Sequence, residues 1–161
     1  MALTLLVTGG TRSGKRNFAE ERARDFGQQL GKRLIYIATA EAFDEEMAAR
    51  IARHQRRRGP EWHTVHAPLD LVQAVTQTDG KGPCVIDCLT LWLSNLMLAG
   101  QDTEVAADAL VASLASRSDP VILVTNEVGS GIVPENALAR RFRDEAGRLN
   151  QIVAQAVDEV Y

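Results

Sequence analysis

Three residues far apart in the chain carry side chains suited to phosphate chemistry: Lys15, His54 and Asp87. Lys15 closes the stretch "GGTRSGK", in which Gly9, Gly14 and Lys15 fit the spacing G-x-x-x-x-G-K. In that pattern backbone N–H groups converge on an anion at a helix start, and the lysine reaches the β- and γ-phosphates of a nucleotide. Gly9, Gly10, Thr11, Arg12, Ser13, Gly14 and Lys15 are therefore expected to hold phosphate. The next position usually bears a Ser or Thr hydroxyl that ligates Mg2+. Here it is Arg16, whose guanidinium has no acceptor and repels a cation. Three consequences stay open on the residues alone. Other groups and waters hold Mg2+, which normally keeps several waters; or Arg16 replaces part of the metal's charge; or phosphoryl transfer is impaired while nucleotide binding survives.

Asp87 ends the apolar stretch "CVID". An acid at the carboxyl end of a central strand, beside a phosphate loop, is the usual second anchor for Mg2+. The same residue would also suit the N-cap of a following helix. Glu127, just past the apolar "VILVTN", is a weaker metal ligand candidate that depends on its strand neighbouring the loop. His54 lies in "RIARHQRRR", with Arg50 four residues before it and Arg57 three after, so the three share a helix face. Nearby cations lower a histidine pKa and keep the imidazole neutral and nucleophilic at pH 7. A nucleophile and charge stabilisation in one place are what a covalent phosphoramidate step requires. A solvated basic helix end is the plainer reading of the same residues.

These side chains need a scaffold that brings them together. The chain has 161 residues, 45% of them hydrophobic and 24% charged, with a net charge of -3. That fits a single domain over 1–161 with its own core, and gives no sign of a nucleic-acid partner. Cys84 and Cys88 sit in apolar "CVIDCLTLW" and read as buried reduced thiols. "MALTLLV" lacks the charged start of a leader, and no apolar run approaches the ~18 residues of a membrane span, so a cytoplasmic protein is expected. "LTLLVT", "RLIYIAT", "CVID" and "PVILVTN" read as buried strands, and "EWHTVHAP" as a shorter one. Between them fall helices from Lys15 to about Leu30, through "FDEEMAARIARHQRRR", "DLVQAVTQ", "LTLWLSNLMLA" and Thr103 to Ser116, and a last one on which Leu138, Phe142, Leu149, Val153 and Val157 trace one face. Strands alternating with helices imply an α/β fold with a mainly parallel sheet and helices on both faces. The final "AVDEVY" reads as the approach to a further strand that the chain stops short of.

Taken in order, these blocks resemble the bifunctional adenosylcobinamide kinase / adenosylcobinamide-phosphate guanylyltransferases of cobalamin biosynthesis. The resemblance rests on "TGGTRSGKR", "DEEMAARIARH", "VIDCLTLWLSNL" and "TNEVGSGIVPENALARRFRDEAGRLNQ" and runs over nearly the whole chain. It implies a three-layer, RecA-like P-loop NTPase fold and a homotrimer. It implies phosphorylation of adenosylcobinamide with ATP or GTP, then transfer of GMP from GTP through a guanylylated histidine to give adenosylcobinamide-GDP, with Mg2+ as the expected cofactor. Carried over residue by residue, it makes His54 the covalent carrier, while Lys15, with the loop N–H groups and Mg2+, is expected to stabilise developing charge in both steps. It assigns nucleotide contacts to Gly9 through Arg16, to Ala38, Thr39 and Ala40, to Gln55, Arg56, Arg57 and Arg58, and to Asp87. The chain departs from the pattern at Arg16, at His66, where a glutamate associated with nucleotide binding is usual, and at its C-terminal strand. A simple P-loop small-molecule kinase and a non-catalytic nucleotide-binding homologue are the alternatives, the second because of Arg16.

Overall fold

The computed structural model describes residues 3–10, 14–42, 44–126 and 136–161. Five strands arise from the apolar runs: β1 (Thr4–Gly9), β2 (Leu34–Ala38), β3 (Trp62–His66), β4 (Cys84–Asp87) and β5 (Val121–Asn126). A sixth, β6, is the two-residue Glu159–Val160. All neighbours pair in parallel, in the order β3-β2-β4-β5-β1-β6. The four strands β1, β2, β4 and β5 are apolar on both sides because helices cover both faces, as a parallel sheet requires.

One face is covered by α1 (Lys15–Leu30), whose Ala19 and Ala23 pack against Leu5, Val7, Tyr36, Val85, Ile122 and Val124. The opposite face is covered by α3 (Leu71–Gln77), α4 (Leu89–Leu98), α5 (Thr103–Ala115) and α6 (Ala137–Ala156), which bury Leu71, Leu89, Trp92, Leu110 and Leu149 against Ile35, Ile37, Ile86 and Leu123. This is the expected three-layer α/β arrangement. The remaining helix, α2 (Glu45–Arg58), is polar and buries only Arg58. Its stability is local: the Asp44 side chain accepts from Met47 N, acids fill its first turn, and arginines fill its last, each matching the helix dipole.

Two expectations change at the chain's end. The strand read as missing forms in short form: Leu5 and Leu6 pair with Glu159 and Val160, and Asp158 fastens the register through Thr4 N and Thr4 Oγ1 at 2.8 and 3.1 Å. Leu138, read as part of the apolar stripe of α6, is 62% exposed. It precedes the stretch of helix that reaches the sheet, whereas Leu149 and Val153 are buried.

At the amino end of the sheet a polar knot replaces apolar packing. Arg117 is buried and donates to the carbonyls of Val75, Thr78 and Gly82 and to Thr78 Oγ1. Asp119, also buried, accepts from Lys32 Nζ at 2.8 Å and from Gly82 N at 3.0 Å. Gly82 has a φ of +150°, and a Cβ there would sit 1.7 Å from the Arg33 carbonyl oxygen, so no other residue fits. Arg117→Ala would remove four hydrogen bonds at once and leave the Gly82 carbonyl without its partner. It is expected to lower unfolding stability by about 3 kcal/mol or more, measured by urea denaturation, with an unchanged denaturant slope.

Candidate active site

The carboxyl ends of β1, β2 and β4 converge beside the start of α1. Gly14 takes a left-handed conformation (φ 81°) as N-cap of α1 without a side-chain cap, leaving the first amide groups of the helix directed at the loop. Lys15 Nζ donates to the Gly10 carbonyl at 3.1 Å, so the ammonium turns back toward the end of β1. Gly9 closes β1 opposite Asn126 of β5. Thr11, Arg12, Ser13 and Glu127 lie outside the described residues.

Side chains alternate along β4, so Asp87 falls on the α1 face with Val85, and it pairs in register with Ala38. Its Oδ2 accepts from Arg16 Nε at 2.8 Å and from the Tyr36 hydroxyl. Tyr36 is fixed from three sides. It is buried, its ring meets Trp62 edge-on at 5.6 Å between centroids, and the Arg58 guanidinium lies 3.6 Å from its centroid. Burial, and then Asp87, push the Tyr36 pKa up, so the phenol stays a donor. For Arg16, burial works to lower the pKa, but Asp87, Tyr36 and Glu20 together outweigh it and the net shift is upward. The N-cap of α4 is Cys88, whose Sγ accepts from Leu91 N at 3.5 Å, so Asp87 does not serve as that cap. Both cysteines are buried free thiols, with burial raising Cys84 to about 12 and Cys88 to about 11.

His54 is half-buried on α2, and its pKa is lowered. Burial is the largest cause, followed by the charges of Arg16 and Arg57, with Asp87 opposing and Arg58 adding a smaller effect. The imidazole therefore stands within electrostatic reach of the phosphate-loop helix. Arg50, expected to act on it, instead approaches Glu46 at 3.9 Å on the exposed side. Removing the Arg16 charge removes one contribution that disfavours imidazolium, so the His54 pKa must rise. By NMR titration, the wild-type midpoint is expected below the ordinary value of 6.5 and that of Arg16→Ser above the wild-type one. An unchanged midpoint would show that Arg16 does not bear on His54.

Other predicted contacts divide. Arg57 is exposed near His54, whereas Gln55 and Arg56 line an open hollow with Ala52, Gly59 and Pro60. Arg58 does not join them: it is buried against Tyr36 and donates to Thr64 Oγ1 at 3.2 Å, because the last turn of α2 rotates it onto the sheet. Thr39 is fully buried, and its hydroxyl donates to the Cys88 carbonyl at 2.7 Å and accepts from Cys88 N at 2.9 Å. It locks the end of β2 to that of β4 rather than offering its side chain to a ligand. Ala38 and Ala40 flank it as backbone, Ala38 accepting from Ala67 N. His66, exposed at the end of β3, pairs in register with Ala38.

The Asp87 oxygen expected to anchor Mg2+ holds a guanidinium and a phenol instead. Among the described residues no group of three or more His, Cys, Asp or Glu is arranged to hold a metal ion. With the Arg16 guanidinium 2.8 Å from Oδ2, its positive charge disfavours a cation on that side of the Asp87 carboxylate. Residues not singled out from the sequence complete the site's support. Tyr36 is one. Thr90 and Asn150 are others: Thr125 Oγ1 donates to Asn150 Oδ1 at 2.8 Å, and Thr90 Oγ1 accepts from Asn126 N at 2.9 Å, tying α4 and α6 to the end of β5. A period-two reading places Tyr36 on the same face as Ala38, and so near Asp87, once the register of β2 and β4 is known.

Residues 5–161 match the family model described as cobinamide kinase / cobinamide phosphate guanyltransferase. The chain is 42% identical over 158 residues to the bifunctional adenosylcobalamin biosynthesis protein CobP of Pseudomonas aeruginosa, covering 96% of this chain and 89% of that one. It is 41% identical over 175 residues to the bifunctional adenosylcobalamin biosynthesis protein CobU of Salmonella typhimurium, covering 99% and 94%. Among solved structures, a KaiC-like protein from Pyrococcus horikoshii superposes with a TM-score of 0.53 at 18% identity, over 77% of this chain and 61% of that one, a likeness of fold alone. No helix among the described residues is long and apolar enough to cross a membrane.

Proposed function

Since the chain belongs to the cobinamide kinase / cobinamide phosphate guanyltransferase family, we propose that this one site performs two transfers in succession. In the first, the γ-phosphoryl group of ATP or GTP passes to the aminopropanol hydroxyl of adenosylcobinamide. In the second, His54 attacks the α-phosphorus of GTP, forming a P–N bond while the bond to pyrophosphate breaks. The new phosphate of the corrinoid then attacks the same phosphorus, the P–N bond breaks, and adenosylcobinamide-GDP leaves with His54 restored.

The observation that carries this reading is the placement of a half-buried imidazole within electrostatic reach of the phosphate-loop helix and Asp87. A plain kinase has no use for a histidine held neutral beside its phosphate site. Neutrality is what a nitrogen nucleophile requires, since imidazolium has no lone pair to offer. Lys15 and the amide groups at the start of α1 supply the positive potential that developing phosphate charge needs in both transfers. The family resemblance implies a homotrimer.

The test is product analysis with the two corrinoid substrates. With adenosylcobinamide the protein is expected to release a nucleoside diphosphate. With its phosphate and GTP it is expected to release pyrophosphate. Diphosphate release alone, with no pyrophosphate under any condition, would leave a simple kinase.

A further inference from the structure

The manner in which Arg16 meets Asp87 differs from an ordinary surface ion pair. Only Nε makes the contact, at 2.8 Å, and the receiving oxygen also takes the Tyr36 hydroxyl. Asp87 is largely covered, with 13% of its side chain exposed, and Tyr36 beneath it is immobilised by Trp62 and Arg58. The guanidinium itself is 47% exposed, and its two amino groups have no partner among the described residues. They stand one residue past Lys15, at the mouth of the loop. A guanidinium held by Nε alone presents the planar pair of donors that matches two oxygens of a phosphate. Because the anchor is already in place, little side-chain freedom remains to be lost on binding.

We propose that Arg16 is a fixed phosphate-binding cation of this site and that Asp87 acts as its positioning residue. The positive charge that a divalent ion brings to other P-loop sites is then supplied by the chain itself. This rests on the reading of the loop as a phosphate site, and it makes metal-free nucleotide binding a designed property of this chain. Asp87 thereby changes role from metal anchor to the group that aims an arginine.

The experiment is titration of the full chain with a fluorescent GTP analogue, once in EDTA and once in excess Mg2+. Wild-type affinity is expected to differ by less than about threefold between the two buffers, while Arg16→Ser and Arg16→Gln lose about tenfold or more in EDTA. Both variants alter an exposed side chain, and melting curves in the same buffers confirm that they are folded. Asp87→Asn, which keeps an acceptor for Tyr36 but drops the charge, is expected to weaken metal-free binding when Arg16 is present. In the Arg16→Ser background it is expected to add nothing further. A purely structural role for Asp87 would weaken binding in both backgrounds. If the Arg16 variants bind in EDTA as tightly as wild type while Lys15→Ala binds weakly in both buffers, the phosphate reading stands and the role of Arg16 is overturned. If wild type binds in neither buffer, both fall together.

Discussion

Lys15→Ala is expected to slow both transfers by about 10²- to 10³-fold, the size of effect seen when one preorganised donor to a developing oxyanion is removed. The reason is that the two reactions share their electrostatics although they attack different phosphorus atoms. Lys15 Nζ is held on the Gly10 carbonyl, at the glycine turn where the motif places phosphate. Negative charge builds on non-bridging and leaving oxygens whether the γ- or the α-phosphorus is attacked. The loop amides remain in the variant and keep part of the affinity, so the loss should be larger in kcat than in binding. Steady-state rates of diphosphate and pyrophosphate release check this. A variant slowed in one reaction alone would mean that the two transfers use separate phosphate sites.

The second large effect separates the reactions. His54→Ala is expected to reduce pyrophosphate release by at least about 10³-fold, because the covalent route loses its nucleophile. Diphosphate release with adenosylcobinamide is expected to keep its rate within about a factor of two, a change of under half a kcal/mol in barrier. His54 stands on α2, whose only buried residue is Arg58, so its removal leaves the core untouched. The imidazole's lowered pKa makes a further distinction. The acid limb of pyrophosphate release should fall below the ordinary histidine value, since protonation there removes the nucleophile. The first transfer should show no such limb from His54.

How far these residues could be read from the chain depends on whether the controlling physics is local. The helix from Lys15 to Leu30 was legible because glycines punctuate both ends and its apolar spacing is regular. The α/β alternation was legible because strands buried on both faces are apolar throughout. The partner of Asp87 was not, because it depends on the register of β2 against β4 and on which face α1 occupies, and neither is written in the stretch "CVID". The arginines after His54 look alike in sequence. Each step around a helix turns by about 100°, so Arg57 faces outward while Arg58 packs on Tyr36. Arg16 was visible at once as the odd residue of its motif. Its contact with Asp87 was not, because that depends on strand register and on Tyr36, a residue with no motif of its own, which shares the same oxygen. For β6 the sequence shows only the approach, for a different reason: two residues are too few to show a period, and the strand exists through its pairing with β1.

The central claim is that one histidine carries GMP between two substrates. The most direct measurement is the mass of the intact protein after incubation with GTP alone, followed by removal of free nucleotide at alkaline pH, where a phosphoramidate persists. Wild type is expected to gain the mass of one GMP, to lose it on brief acid treatment, and to lose it equally on addition of the corrinoid phosphate. His54→Ala is expected to gain nothing. Equal gain by wild type and His54→Ala would contradict the assignment of the carrier, and no gain by wild type, with pyrophosphate still released in turnover, would contradict a covalent route altogether.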